Sequence, residues 1–299
     1  MVYKLLLVAA TVIWGSSFFL AKDLLGVISP DWLLFLRFGT AAVLLGLFCL
    51  LRPARRAALA SRDHLVCGAV MGAFMFGAYC TQTFGLAGTT PGKNAFLTAV
   101  YSVLVPFVAW WIARRRPTRF NLVAAGMSIA GVGLISLGSS DSAGMSAGDA
   151  LSLVCAVFYS FHIVFTAKFS QGRDIYVLTT VQFAVVALLA GLVALVFEAP
   201  PDFSAFAGED WFSLCYLAVC CTLVALSFQN IGQQHTSPAS AALLLSLESP
   251  FGVAFSVAAG TESLTLQLLC GFALVFAAVL VSELLPQLVG RGRAVKEKG

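Results

Sequence analysis

The sequence predicts an all-α polytopic membrane protein with ten transmembrane helices, arranged as two inverted five-helix repeats. Three observations predict this fold: the apolar composition, the number of apolar segments of spanning length, and an internal repeat. Of the 299 residues, 60% are hydrophobic and only 11% are charged, and the mean hydropathy is +0.93. Because soluble domains carry about 25% charged residues, this chain cannot build a water-facing shell.

The composition also disfavours several classes of function. The net charge is +4, but the basic residues are scattered among short loops and form no face interleaved with aromatic side chains, so we expect no nucleic-acid partner. The eight cysteines lie in apolar runs without the paired spacing of a zinc site, and His64, His162 and His235 are far apart. There is no phosphate-binding Walker loop. We therefore expect neither a cofactor nor a metal, and no enzymatic activity.

Ten segments are apolar and long enough to cross a bilayer. A helix of about 20 apolar residues spans the hydrocarbon core. Short connections join these segments, and no soluble domain is left between them. The predicted spans are 4–23, 31–51, 65–85, 91–113, 119–138, 147–168, 175–197, 210–232, 236–259 and 264–284.

The distribution of charge predicts the orientation, because cytoplasmic loops carry an excess of Lys and Arg. One set of loops holds most of the basic residues: Arg52, Arg55, Arg56, Arg62, Arg114, Arg115, Arg116, Arg119, Lys168 and Arg173. The opposite loops are acidic: Asp23, Asp31, Asp141, Asp149, Glu198, Asp202, Glu209, Asp210 and Glu262. This pattern places both termini in the cytoplasm, and an even number of spans requires the same.

The two halves of the chain resemble each other. Residues 5–22 match residues 151–168 at seven identical positions, and a second match pairs residues 95–107 with 239–251. The offsets of 146 and 144 residues both indicate one duplication, although chance matching in apolar sequence is the alternative. We predict a first repeat at 1–140, a second at 141–286 and a basic cytoplasmic tail at 287–299.

An odd number of helices in each repeat requires the second repeat to be inverted relative to the first. Inverted repeats with a central site are a recurrent architecture of secondary transporters, which expose that site to each side in turn. A passive facilitator or channel is the main alternative. A membrane enzyme acting on lipid is a weaker one, because it would need converging nucleophile, base or metal groups.

Polar and aromatic residues inside the predicted spans are the candidates for a substrate cavity, because each is costly in lipid. Asn94, Thr98 and Tyr101 form one polar stripe, and Trp14 lies too deep to be an interfacial anchor. The alternative is that these residues hold helices together. The cavity candidates are Trp14, Tyr79, Gln82, Asn94, Thr98, Tyr101, Tyr159, His162, Gln182, Gln229 and Glu248.

Two charged residues inside the predicted spans are candidates for coupling or gating, and two prolines are candidates for helix breaks. Arg37 is a candidate for gating or coupling, unless it reaches the headgroups or caps a carbonyl. Glu248 lies near the middle of the ninth span, where a charged acid costs roughly 3 kcal/mol, so it is a candidate for both binding and coupling. Pro106 and Pro250 occupy matching positions in the two halves and are expected to break their helices.

Several short motifs resemble those of the EamA-type family of the drug/metabolite transporter superfamily. They are Trp14-Gly15-Ser16-Ser17-Phe18, Leu36-Arg37-Phe38, Gly92–Thr98 leading to Pro106, Ser237-Pro238-Ala239, Leu247-Glu248-Ser249-Pro250 and Thr261–Thr265. The family usually has Gly where Thr261 stands, and it often has Glu followed directly by Pro. The resemblance implies a permease of the cytoplasmic (inner) membrane for small metabolites such as amino acids or amines, often exported. It leaves open whether the chain acts as a monomer or a homodimer.

Overall fold

The computed structural model describes residues 2–114, 116–137, 145–260 and 263–296, and their regular structure is helical throughout. The helices are α1 Val2–Leu24, α2 Pro30–Leu50, α3 Pro53–Leu59, α4 Arg62–Ala87, α5 Pro91–Ala99, α6 Tyr101–Ala113, α7 Arg119–Leu137, α8 Ala147–Phe169, α9 Ile175–Phe197, α10 Gly208–Tyr216, α11 Ala225–Gln234, α12 Pro238–Leu245, α13 Glu248–Ala258 and α14 Leu266–Lys296. A π-helical segment, Leu217–Val224, joins α10 to α11.

Eight helical stretches in the described part of the chain are long and apolar enough to cross a membrane. Two more segments, predicted at 119–138 and 264–284, coincide with shorter apolar stretches at Arg119–Ile135 and Leu266–Ser282. Many large apolar side chains on the outer surface are exposed, as lipid-facing residues are. The prediction of a polytopic, all-helical membrane protein is therefore confirmed.

Local sequence sets where several helices begin. Pro30, Pro53, Pro91 and Pro238 each stand in the first turn of a helix, where the missing backbone N–H costs nothing. The Ser146 hydroxyl accepts from the backbone of Asp149 at the start of α8, and the Asp149 carboxylate accepts from the backbone of Ser146 in return. These caps fix the ends of the spans in short loops.

We call the end of the bundle where α1 begins the near end, and the end where α1 finishes the far end. Helices from the two halves of the chain pack together along the whole bundle: α2 with α9, α4 with α8 and α9, and α1 with α11 and α13. Gly68 and Gly72 of α4 lie against Val181, Gln182 and Val185 of α9, and a Cβ at either glycine would clash there. These glycines therefore pack helices within one chain.

The helix breaks lie before the prolines rather than at them. One interruption falls at Val100, between α5 and α6, and the other at Ser246 and Leu247, between α12 and α13. Pro106 lies inside α6 and Pro250 in the first turn of α13. Pro250 cannot donate to the carbonyl of Ser246, which accounts for the second break. The first break lies more than one turn before Pro106, and the proline ring does not account for it.

The two breaks are chemically alike. The Ser102 hydroxyl donates to the carbonyl of Ala99, and the Ser246 hydroxyl donates to the carbonyl of Leu243. Ser102 and Ser246 occupy matching positions in the predicted repeat. The serines thus satisfy carbonyls that the interrupted helices leave without their usual partners.

Some predictions concern residues at the edges of the described structure. The predicted boundary at 140–141, as well as Arg115, Asp141, Thr261 and Glu262, lies outside the described residues. Helix α14 continues through 287–296 into the segment predicted as a basic tail. Asp31 was assigned to an acidic loop, but it is buried in the first turn of α2, where Glu198 accepts from the Asp31 backbone N–H.

Candidate functional site

A cavity occupies the middle of the bundle and extends toward the far end. It encloses about 410 Å³ of space, including the part open to solvent. Its walls come from α1, α2, α4, α8 and α13. The lining residues are Trp14, Ser17, Phe18, Ala21, Arg37, Tyr79, Gln82, Thr83, Leu86, Tyr159 and Glu248.

A smaller cavity lies next to the first, on its near side. Trp14, Tyr159 and Glu248 line both cavities and therefore stand between them. The other residues of the smaller cavity are Tyr101, Ile163, Gln229 and Leu245. The two spaces thus follow the axis of the bundle from its far half into its near half.

The π-helical segment holds two of the cavity residues in place. The indole Nε1 of Trp14 donates to the carbonyl of Cys221 at 2.8 Å. The Nε of Arg37 donates to Thr222 Oγ1 at 2.9 Å, and that hydroxyl in turn donates to the carbonyl of Leu217. π-Helical turns are rare and often occur at functional sites. Here the irregular backbone of one helix positions side chains from two others.

Arg37 is buried and lies in the cavity, so it does not reach the lipid headgroups. Its guanidinium carbon lies 5.2 Å from the centre of the Tyr79 ring and 5.8 Å from that of the Phe38 ring, within cation–π range. Across the described residues, no carboxylate oxygen lies within 4.0 Å of this guanidinium. Its charge is thus held by aromatic faces and a hydroxyl, and it lines the same cavity as Glu248.

Glu248 is the first residue of α13, directly after the second helix break. Its side chain is buried, lines both cavities and interacts with the hydroxyl of Tyr101. The break therefore places an acid at the centre of the bundle, between the two cavities.

Neighbouring contacts hold this helix end in position. The Ser249 hydroxyl donates to the carbonyl of Ala95 at 3.1 Å, which ties α13 to α5. Gly15 of α1 lies so close to α13 that an added Cβ would come within 2.5 Å of the Phe251 Cβ. The first residues of α13 are therefore packed against both helices.

Aromatic side chains form much of the cavity wall. Tyr159 meets Tyr79 edge-on at 5.7 Å and Tyr101 at 5.9 Å between ring centres. The Tyr159 hydroxyl also donates to Gln82 Oε1 at 3.5 Å. Such a wall offers apolar faces with a few hydrogen-bonding groups, as sites for small amphiphilic molecules do.

The structure brings seven of the eleven predicted cavity residues together, and Arg37 with them. The other four lie behind the cavity wall. Asn94 donates to Ser152 and to the carbonyl of Gln82, while Thr98 accepts from Gln82, so both support the wall. His162 and Gln182 bond to each other between α8 and α9. These four residues link helices in the observed conformation.

Sequence reasoning missed several residues of the site. Ser17, Phe18 and Ala21 follow Trp14 at helical spacing and could have been found from it. Cys221 and Thr222 could not, because nothing in their sequence indicates a π-helical turn. Within the described residues, no three His, Cys, Asp or Glu side chains cluster as metal ligands would.

Comparison with known proteins decides the family. The model of the EamA-like transporter family matches residues 1–137 and again residues 146–284. The chain belongs to the EamA-like transporter family. This family is part of the drug/metabolite transporter superfamily, so the resemblance seen in the sequence motifs is confirmed. An EamA-like transporter is a membrane protein, in agreement with the apolar helices.

Relatives along the full length support the same assignment. An uncharacterized transporter from Archaeoglobus fulgidus is 31% identical over 279 residues, covering 92% of this chain and 84% of the relative. The uncharacterized transporter YyaM from Bacillus subtilis is 23% identical and covers 93% and 92%. A crystal structure at 19% identity superposes with a TM-score of 0.73 over 96% of this chain and 98% of that one, which supports the fold alone.

Proposed function

We propose that this EamA-like transporter is a secondary, nucleotide-independent exporter of small metabolites such as amino acids, amines or related compounds. The observation that carries the proposal is the pairing of Arg37 and Glu248 in one aromatic-walled cavity. A carboxylate on the substrate would bind the guanidinium, and an ammonium group would bind the acid or the aromatic faces. The apolar part of the substrate would pack against Trp14 and Tyr79.

In this proposal, ten spanning helices form two inverted repeats, and transport proceeds by alternating access. The near end is the cytoplasmic side, because the basic loops lie there, and both termini are cytoplasmic. Since the main cavity extends toward the far end, the structure corresponds to an outward-facing state. The membrane is the cytoplasmic (inner) membrane.

The test is counterflow in proteoliposomes preloaded with individual amino acids or amines from a panel. We expect at least one compound to show saturable uptake that is accelerated by the same compound on the opposite side, without nucleotide. Uptake without saturation or trans-acceleration would indicate a passive facilitator instead. Flux no greater than that of empty liposomes for the whole panel would contradict the proposal.

A further inference from the structure

A group of buried polar side chains lies between the smaller cavity and the near end of the bundle. We call it the near-side polar cluster; its members are His162, Thr179, Gln182, Gln229, Asn230 and Gln233. They come from α8, α9 and α11. Gln229 lines the smaller cavity, and Gln233 lies one turn nearer to the near end on the same face of α11.

The hydrogen bonds of this cluster are incomplete. His162 bonds to Gln182 at 3.1 Å, and Asn230 donates to Thr179 at 3.0 Å. Six other side-chain atoms are buried and have no hydrogen-bond partner in the described part of the chain: His162 Nδ1, Gln182 Nε2, Gln229 Oε1, Asn230 Oδ1, and Gln233 Nε2 and Oε1. A buried polar atom without a partner destabilises the conformation in which it is buried. The six atoms therefore favour a conformation in which they meet solvent or a polar ligand.

The end of the bundle beyond the cluster is closed. The rings of Tyr3 and His235, both exposed at the surface of the near end, stack at 3.8 Å and join the start of α1 to the end of α11. Gln234 donates to the carbonyls of Ser170 and Arg173. Gly232 approaches α1 so closely that a Cβ would lie 2.7 Å from the Leu7 side chain. The cluster is therefore separated from the near end by direct contacts between helices.

The proposed repeat relates the cluster to the far-side cavity. That cavity is lined mainly by α1, α2 and α4. Residues 5–22 match residues 151–168, so α1 corresponds to α8, and in chain order α2 corresponds to α9 and α4 to the helix that contains α11. The cluster thus lies on the counterparts of the helices that line the open cavity, at the opposite end.

We propose that the near-side polar cluster is the closed cytoplasmic half of the substrate path, a hydrophilic route that opens when the Tyr3–His235 contact separates. This inference rests on the proposed alternating-access function. In the open state, solvent or substrate meets the six polar atoms. None of the six cluster residues is Asp, Glu, Lys or Arg, so the route differs from the far-side cavity, which holds Arg37 and Glu248.

Thiol accessibility tests the route without any substrate. The eight native cysteines are first replaced by alanine, and Gln233→Cys is introduced as the only thiol. This protein reacts in detergent with a charged methanethiosulfonate. Its modification rate is compared with that of the same protein carrying Tyr3→Ala and His235→Ala. Loss of the closing contact should raise the modification rate by at least about tenfold, since 1.4 kcal/mol shifts a population by that factor. The matched control is Ser128→Cys on α7, where the native hydroxyl is also buried and has no hydrogen-bond partner among the described residues. Its modification rate should stay low.

A rate at position 233 that equals the rate at position 128 in both backgrounds would overturn the route. The thiol modification rate is measured without transport, so it tests the route even if no compound in the panel is transported. Failure of the route can therefore be distinguished from failure of the proposed transport function.

A second variant separates the route from a structural role. Gln233→Leu removes two buried atoms without partners, so we expect a higher melting temperature, together with slower counterflow because the route loses hydrogen-bonding capacity. Ser128→Ala should change stability in the same direction and leave counterflow unchanged. A Gln233→Leu variant with lower stability or with wild-type counterflow would contradict the proposal.

Discussion

The two halves of the bundle interior differ in charge and in how their polar groups are satisfied. The far-side cavity holds Arg37, which is supported by a hydroxyl and by aromatic rings, and Glu248, which interacts with the Tyr101 hydroxyl. The near-side polar cluster holds neutral side chains with unmade hydrogen bonds. Under the proposed alternating-access mechanism, this difference means that the far side binds substrate in the observed conformation. The polar groups of the near side are then solvated only in the opposite conformation.

The largest expected effect follows from removing the cation of the far side. Arg37→Ala should lower the counterflow rate by about 100-fold, which corresponds to the loss of one charge-assisted bidentate contact worth roughly 3 kcal/mol. Initial rates in proteoliposomes, at equal amounts of inserted protein, measure this effect.

Arg55 provides the matched control for that substitution. It is also a buried arginine over aromatic rings, with its guanidinium 4.2 Å from the centre of the Tyr176 ring, but it pairs with Asp174 outside the cavity. Arg55→Ala should therefore lower the melting temperature more than the transport rate. Equal losses of transport in both variants would remove the special role of Arg37.

A metal clamp across the near end should have the next largest effect. Tyr3→His would place an imidazole beside His235, whose Nδ1 already bonds to the Ile231 carbonyl. Once the two rings turn out of the stacked arrangement, so that their free nitrogens converge in the ring planes, they can bind one Zn²⁺. Because the proposed mechanism requires the near end to open in each cycle, Zn²⁺ should reduce flux by about tenfold, and a chelator should restore it. The Tyr3→Phe control should be insensitive to Zn²⁺. Full flux with zinc bound would mean that this contact does not gate the path.

Glu248→Gln tests the acid of the far side and should affect coupling more than flux. A gradient of about one pH unit supplies about 1.4 kcal/mol per coupled proton. This free energy supports an about tenfold concentration ratio of the substrate across the membrane. If Glu248 carries that proton, the amide variant should lose the response of flux to a pH gradient and keep counterflow. An unchanged response in the variant would exclude Glu248 as the coupling residue and leave transport intact.

Composition and periodicity were sufficient to predict the positions of the helices, because apolar segments of spanning length have few alternative structures. The predicted spans and the observed helices differ by a few residues at most of their ends. Asp31 shows the limit of the charge pattern: it was counted with the acidic loops and also began the second predicted span, and it lies buried in the first turn of α2. Prolines predicted that two helices break, but not where, because the break depends on which turn can best replace its lost bonds.

The site was predictable where residues stand out chemically within an apolar span, as Arg37, Glu248 and Trp14 do. Polarity alone could not separate the residues that face the cavity from those that support its wall, because both pay the same cost of burial in lipid. Asn94 and Tyr101 belong to one polar stripe, yet only Tyr101 lines a cavity. The helix rotation that distinguishes them is set by packing against distant segments.

The smallest expected effect concerns the π-helical support of the far-side cavity. Thr222→Val keeps the shape of the side chain but removes the oxygen that accepts from Arg37 Nε. A hydrogen bond to a charged group contributes about 1.5–3 kcal/mol, but the guanidinium keeps its aromatic contacts, so we expect only an about threefold to tenfold rise in KM for export. Thr222→Ser retains the hydroxyl and should restore the wild-type KM. If valine and serine variants had the same KM, the hydroxyl would not position Arg37, and the charge of the far side would depend on its aromatic contacts alone.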